Sequence, residues 1–94
     1  MRLTVFKIVP NKIGNHGWGW NPDKAEPITS IDIPVVTKRG LMNELRRRGL
    51  VQLKRCIVDE TYGSYEILSK RSEMPLLFVH PEEHQNAPNN GNFS

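Results

Sequence analysis

Cysteine occurs once in this sequence, at position 56, so no disulfide can form within the chain and a reducing compartment suits it best. Apolar residues are scarce for a globular protein, at 37% of 94, which implies that part of the chain lies outside any core. No apolar run approaches the roughly 20 residues needed to span a bilayer. The first apolar run is broken at Lys7, too early for the apolar centre of a signal peptide. A soluble, cytoplasmic protein without membrane association is therefore expected. A phosphate-binding glycine loop, a dinucleotide fingerprint and the Cys/His spacing of a zinc site are all missing, so neither cofactor nor metal is expected.

What is present suits one domain, since 94 residues allow no more. Residues 2–9 (RLTVFKIV) are rich in β-branched and aromatic side chains and stop at Pro10, which predicts a first strand. Residues 11–27 contain Gly14, Gly17, Gly19 and Pro22 and predict a long loop. Residues 28–36 look extended, but Pro34 removes a backbone donor and points to an edge strand or a bent segment. A short helix is predicted from Thr37, which can cap it, through a stripe of Leu41, Met42 and Leu45 to Gly49, placed to end it in a left-handed conformation. Residues 50–58 predict a strand with Val51, Leu53 and Ile57 on one face and Gln52, Lys54 and Cys56 on the other. A turn over 59–63, a returning strand over 64–70, a turn over 72–75 and the apolar strand 76–80 complete a meander. The expected fold is α+β: a small single domain over 1–81, a mostly antiparallel sheet of about four to five strands, and one helix packed on one face. Residues 82–94 offer almost nothing to bury and are expected to form a flexible polar tail.

Charge is unevenly distributed. The window 37–55 contains seven of the thirteen lysines and arginines, Lys38, Arg39, Arg46, Arg47, Arg48, Lys54 and Arg55, against the single acid Glu44. Its net +6 exceeds the +3 of the whole chain, so the remainder is net acidic. Arginine presents a planar donor fork that matches phosphate, and a basic helix end continued into the next segment suits a nucleic-acid backbone. A plainer explanation stands beside it. A helix dipole favours cations in its last turn, and Glu44 can pair with Arg47 and Arg48 at i+3 and i+4.

Both tryptophans lie in the stretch GNHGWGWNP, residues 14–22. In an extended chain Trp18 and Trp20 point to the same side, flanked by glycines that leave the ring faces open. Such a pair suits stacking on bases or a hot spot for a protein partner. Against that stands the need to hide a large ring, and one tryptophan is expected to cover the core while the other faces a partner.

Catalytic candidates are weak. His80-Pro-Glu-Glu-His84 has the letters H-x-x-E-H of a class of zinc peptidases, but Pro81 would begin the helix and leave His80 outside it, and no third ligand follows. His16, His80, Tyr62 and Tyr65 are the residues able to move protons. Cys56 has only Lys54 and Arg55 as basic neighbours in sequence, and a structural thiol is expected. The run from Leu45 to His80 resembles the HicA mRNA interferases over a few residues: a helix ending in basic residues and glycine, a strand, then Gly63-Ser64 opening the next. The resemblance implies ribonuclease activity, but Tyr65 occupies the position where that family needs histidine, so no catalytic role carries over. The expectation is a non-catalytic binding protein that contacts nucleic acid through its basic helix end and the segment after it. The alternative is a protein-interaction module, an inhibitor, adaptor or component of a larger assembly, that uses the tryptophan loop. A homodimer through a sheet face or edge is compatible with either.

Overall fold

A computed structural model describes residues 1–15 and 17–82. His16, His84 and the expected tail beyond Glu82 lie outside the described residues. The fold is α+β, with one helix, a five-stranded antiparallel sheet and a separate two-stranded sheet. The strands are β1 (Arg2–Lys7), β2 (Pro10–Lys12), β3 (Trp18–Trp20), β4 (Glu26–Asp32), β5 (Cys56–Thr61), β6 (Ser64–Ser69) and β7 (Pro75–Pro81). The helix α1 is Lys38–Arg47. The main sheet has the order β4-β1-β7-β6-β5, which puts the apolar strand β7 at its centre. No helix among the described residues is long and apolar enough to cross a membrane.

The helix follows its sequence signals. The Thr37 hydroxyl accepts from the Gly40 amide at 3.0 Å and satisfies one of the orphan donors of the first turn. At the other end Gly49, at φ 75°, donates to the Arg46 carbonyl, and Leu50 donates to that of Leu45. This pair of bonds is the Schellman closure, which a side chain at the left-handed position would strain. Leu41, Met42 and Leu45 are buried against Leu3 and Val5 of β1, Ile31 of β4, Tyr65 and Ile67 of β6, and Leu77 and Val79 of β7.

Two expectations are corrected. The segment 11–27 is not a featureless loop. Pro10–Lys12 pairs with Trp18–Trp20 as a hairpin, a 3₁₀ turn follows at Pro22–Lys24, and β4 has begun by Glu26. Sparse glycine-rich sequence concealed a strand of only three residues, stabilised by what it packs on rather than by propensity. The expected strand over 50–58 also starts late. Leu50 is consumed in closing the helix, Val51 is buried under it, and Leu53–Arg55 forms a 3₁₀ turn. That turn shifts the phase of the alternation. Cys56 and Val58 pack towards the core, whereas Leu53 and Ile57 are each 39% exposed. The strand then runs on to Thr61, so the expected five-residue turn contracts to Tyr62 and Gly63, at φ 52° and 81°. Both central residues in the left-handed region define the tight hairpin turn whose twist matches the strands.

Residues 28–36 were expected as an edge strand or bend, and β4 is indeed an edge, ending before Pro34. The register along β1 skips from Thr29 to Pro27, leaving Ile28 as a bulge.

Candidate nucleic-acid interface

The seven basic residues divide by partner. Arg47 and Arg48 converge on Glu44, each at 2.9 Å, and Arg48 also donates to the Thr29 hydroxyl on β4. The hydrogen bond from Arg48, reinforced by the charges of both arginines, holds the Glu44 carboxyl below the usual glutamate range. The i+3 and i+4 pairing expected for these two residues is thus formed. Lys38, Arg39, Arg46, Lys54 and Arg55 are exposed and make no ion pair among the described residues.

Their positions along the helix differ in consequence. Arg46 sits in the last turn, where the dipole welcomes a cation. Lys38 and Arg39 occupy the first turn, which contains no acid, at the end where the dipole opposes them. Arg39 and Arg46 are seven residues apart, so they fall on one helix flank within about 20° of each other and about 10 Å apart along the axis. Successive steps of about 100° place the Glu44–Arg48 cluster on the opposite flank. Lys54 and Arg55 lie in the 3₁₀ turn that leads from the helix to β5.

Both tryptophans are half-buried, so the expected division into a core ring and a free ring is not found. Trp20 lies over Phe78 with centroids 4.9 Å apart, and its indole N–H donates to Glu66 Oε2 at 2.6 Å. The Trp18 N–H donates to the Ser72 carbonyl at 3.3 Å, and Lys12 Nζ stands 5.7 Å from the Trp18 ring centre. The space at Gly19 is not open either: a Cβ there would come within 2.7 Å of Ile13 Cδ1. The glycine between the tryptophans admits the Ile13 side chain across the hairpin. Trp20 therefore attaches the hairpin to the second face of the sheet, the one turned away from α1, and Trp18 attaches it to the turn between β6 and β7.

On that face Phe6, Phe78 and His80 form a row, with ring centres 6.2 Å apart for Phe6–Phe78 and 5.8 Å for Phe78–His80. Ser64 Oγ and His80 Nδ1 share a hydrogen bond of 2.6 Å. Thr4 and Ser30 donate to Glu82 at 2.6 and 2.8 Å, which fastens the first residue of the expected tail to the sheet. Of the residues able to move protons, Tyr65 is buried on the helix side, where desolvation, helped by the Glu60 charge, raises its pKa. Tyr62 is fully exposed at the hairpin tip. Sequence reasoning did not single out Phe6, Glu66 or Phe78. The available signal was the period of two in strands 2–7, 64–69 and 75–81, which puts Phe6, Glu66 and Phe78 on the face opposite Val5, Ile67 and Val79. No protein-family model matches this chain, and no curated protein and no solved structure matches it, so its own geometry carries the functional conclusion.

Proposed function

We propose that this protein is a small non-catalytic binding protein that contacts nucleic acid through Lys38, Arg39 and Arg46 of α1, with Lys54 and Arg55 beside them. The observation that carries this reading is the pair Lys38 and Arg39, exposed in a helix turn where the dipole disfavours cations and no acid accompanies them. Helix stability gives no reason for them, whereas a phosphate backbone does. Arg47 and Arg48 drop out of the expected contact set because Glu44 engages both. A cytoplasmic setting belongs to the same proposal and is supported by the single cysteine.

Fluorescence anisotropy with single- and double-stranded DNA and RNA tests it. Binding at low salt should weaken steeply as salt rises. Replacing Lys38, Arg39 and Arg46 together by glutamine should reduce the slope of log K against log salt by about 0.7–0.9 per lost contact. Replacing Arg47 and Arg48 should leave the slope nearly unchanged. Absence of binding to all four probes at low salt would refute the reading, as would equal effects of the two sets.

A second reading, a protein-interaction module, is favoured by one observation: an apolar cleft on the second sheet face, lined by Phe6, Trp20, Pro22, Ala25, Phe78 and His80. In that reading the tryptophan hairpin forms the wall of a site for a partner's apolar side chain. Phe6→Ser should then abolish capture of a protein from the native host and spare nucleic-acid binding.

A further inference from the structure

The two edges of the main sheet are built differently. The edge strand β4 carries Pro27, which has no amide donor, and the bulge at Ile28, two devices that prevent another strand from pairing. The edge strand β5 has neither proline nor bulge. Its residues pair with β6 in continuous register from Cys56↔Ser69 to Thr61↔Ser64.

That register determines which backbone groups face outward. The tight turn at Tyr62-Gly63 makes Thr61 and Ser64 a hydrogen-bonded pair, so Asp59 and Ile57 also direct their N–H and C=O towards β6. The Arg55 carbonyl confirms the alternation by accepting from the Lys70 amide at 2.8 Å. The N–H and C=O of Cys56, Val58 and Glu60 therefore point away from the sheet. None of them has a hydrogen-bond partner among the described residues.

The edge Cys56–Glu60, together with Arg55, whose carbonyl ties the end of the 3₁₀ turn to Lys70 just after β6, reads Arg55-Cys56-Ile57-Val58-Asp59-Glu60. Reversed, the order of charge is inverted about the centre: a cation at Arg55, three apolar residues, and an anion at Asp59. We propose that β5 pairs antiparallel with β5 of a second copy of this chain, about a two-fold axis at Ile57. Cys56 then exchanges both backbone bonds with Val58 of the other copy, as does Val58 with Cys56, which uses the outward groups of both residues. Ile57 faces its own counterpart across the axis. Arg55, at the end of the 3₁₀ turn, stands opposite Asp59 on both sides of it. The outward parity also permits centres at Cys56 or Val58, but neither brings opposite charges together. A centre at Val58 sets Asp59 against Ile57 and Glu60 against Cys56. A centre at Cys56 sets Ile57 against Arg55. Cross-strand pairs of opposite charge stabilise a ladder and like charges destabilise it, so the pattern selects the register centred on Ile57. The two five-stranded sheets become one of ten strands, and the 39% exposed Ile57 is covered. A closed two-fold pairing also removes the undefended edge from unlimited stacking. Dimerisation then withdraws only Arg55 from the phosphate-facing cations, and Lys38, Arg39, Arg46 and Lys54 remain.

Sedimentation equilibrium of the nucleic-acid-free protein over a concentration series tests the proposal. The wild type should dimerise. Arg55→Glu and Asp59→Arg should each weaken self-association by roughly tenfold or more, because each places like charges opposite one another twice. The double variant, with the charges exchanged, should recover dimerisation. An equimolar mixture of the two single variants should form a heterodimer, since every cross-strand pair is again of opposite sign. A protein with Ile57→Cys and Cys56→Ser should oxidise to a disulfide-linked dimer, since residues directly opposite in a non-hydrogen-bonded pair have Cα atoms about 4.5 Å apart, within disulfide reach. A wild type that stays monomeric throughout would overturn the inference. So would a dimer indifferent to both single reversals, or single variants that do not restore each other on mixing.

Discussion

On one side of the sheet Leu3, Val5, Ile31, Ile67, Leu77 and Val79 meet Leu41 and Leu45 of the helix, and nearly all are fully enclosed. On the other, Phe6, Phe78 and His80 lie under a hairpin that covers them only halfway. The first face is chiefly aliphatic, with Tyr65 as its aromatic member. The second is aromatic and mixed with polar side chains that bond to one another: Trp20 to Glu66, Ser64 to His80, Thr4 to Glu82. A ten-residue helix with an apolar stripe can enclose aliphatic side chains completely. A three-residue strand has too little surface for that, so its covering is an amphipathic ring whose N–H finds a carboxylate. The helix side stabilises chiefly through burial, and the hairpin side through directed contacts that fix where the hairpin sits.

The sharpest way to break this comparison is to create a cavity on the helix side. Leu45→Ala removes a fully buried side chain and should lower stability by about 2–5 kcal/mol, enough to unfold much of so small a domain. Urea denaturation followed by circular dichroism would measure it. Trp20→Ala should have a smaller effect, about 2 kcal/mol, since the ring is only half enclosed. Trp20→Phe keeps a ring over Phe78 but withdraws the donor from Glu66, and should still lose about 1 kcal/mol. If Phe proves as good as Trp, the directed bond contributes nothing and the contrast between the faces fails.

Tyr62 touches neither face and serves as a control. It is fully exposed with φ 52°, a conformation that asparagine adopts more easily. Tyr62→Asn should raise stability by about 0.5–1 kcal/mol, read as a higher melting temperature. The smallest effect belongs to the exposed Glu44 cluster. Its carboxyl titrates lower in the folded chain than in the unfolded one, so its contribution is fully present above about pH 4.3 and fades as pH falls through the lower, folded value. Wild type and Glu44→Gln should therefore differ slightly at neutral pH and converge in acid. A difference that grows on acidification would contradict the pairing.

Much of the fold could be read from residue order because the signals were local. Thr37, the Leu41–Met42–Leu45 stripe and Gly49 each act within a turn or two, and the helix spans Lys38–Arg47. The meander from Cys56 to Pro81 was legible for the same reason, apart from its start. There a 3₁₀ turn changed the phase, and in a strand a shift of one residue exchanges the faces. Within the candidate interface, the seven cations were visible in the sequence, and so was the pairing available to Glu44. Which cations remain unpaired depended on the direction of Arg48, which reaches Thr29 across 19 positions. The role of the tryptophans was hidden for a stronger reason: their partners Ser72 and Glu66 lie 54 and 46 residues away.

By itself, then, the sequence determined the helix and its caps, the number of the later strands, the absence of any internal disulfide, and the crowding of positive charge into residues 37–55. These follow from spacing, from dihedral preference and from counting, all of which operate between near neighbours. Only the tertiary structure decided that β5 is an open edge while β4 is a protected one, that the glycine-rich stretch folds onto the second sheet face, and that both indoles bond to their own chain. Strand order and ring placement are choices among contacts between distant segments, and their energies are realised only when the chain has closed upon itself.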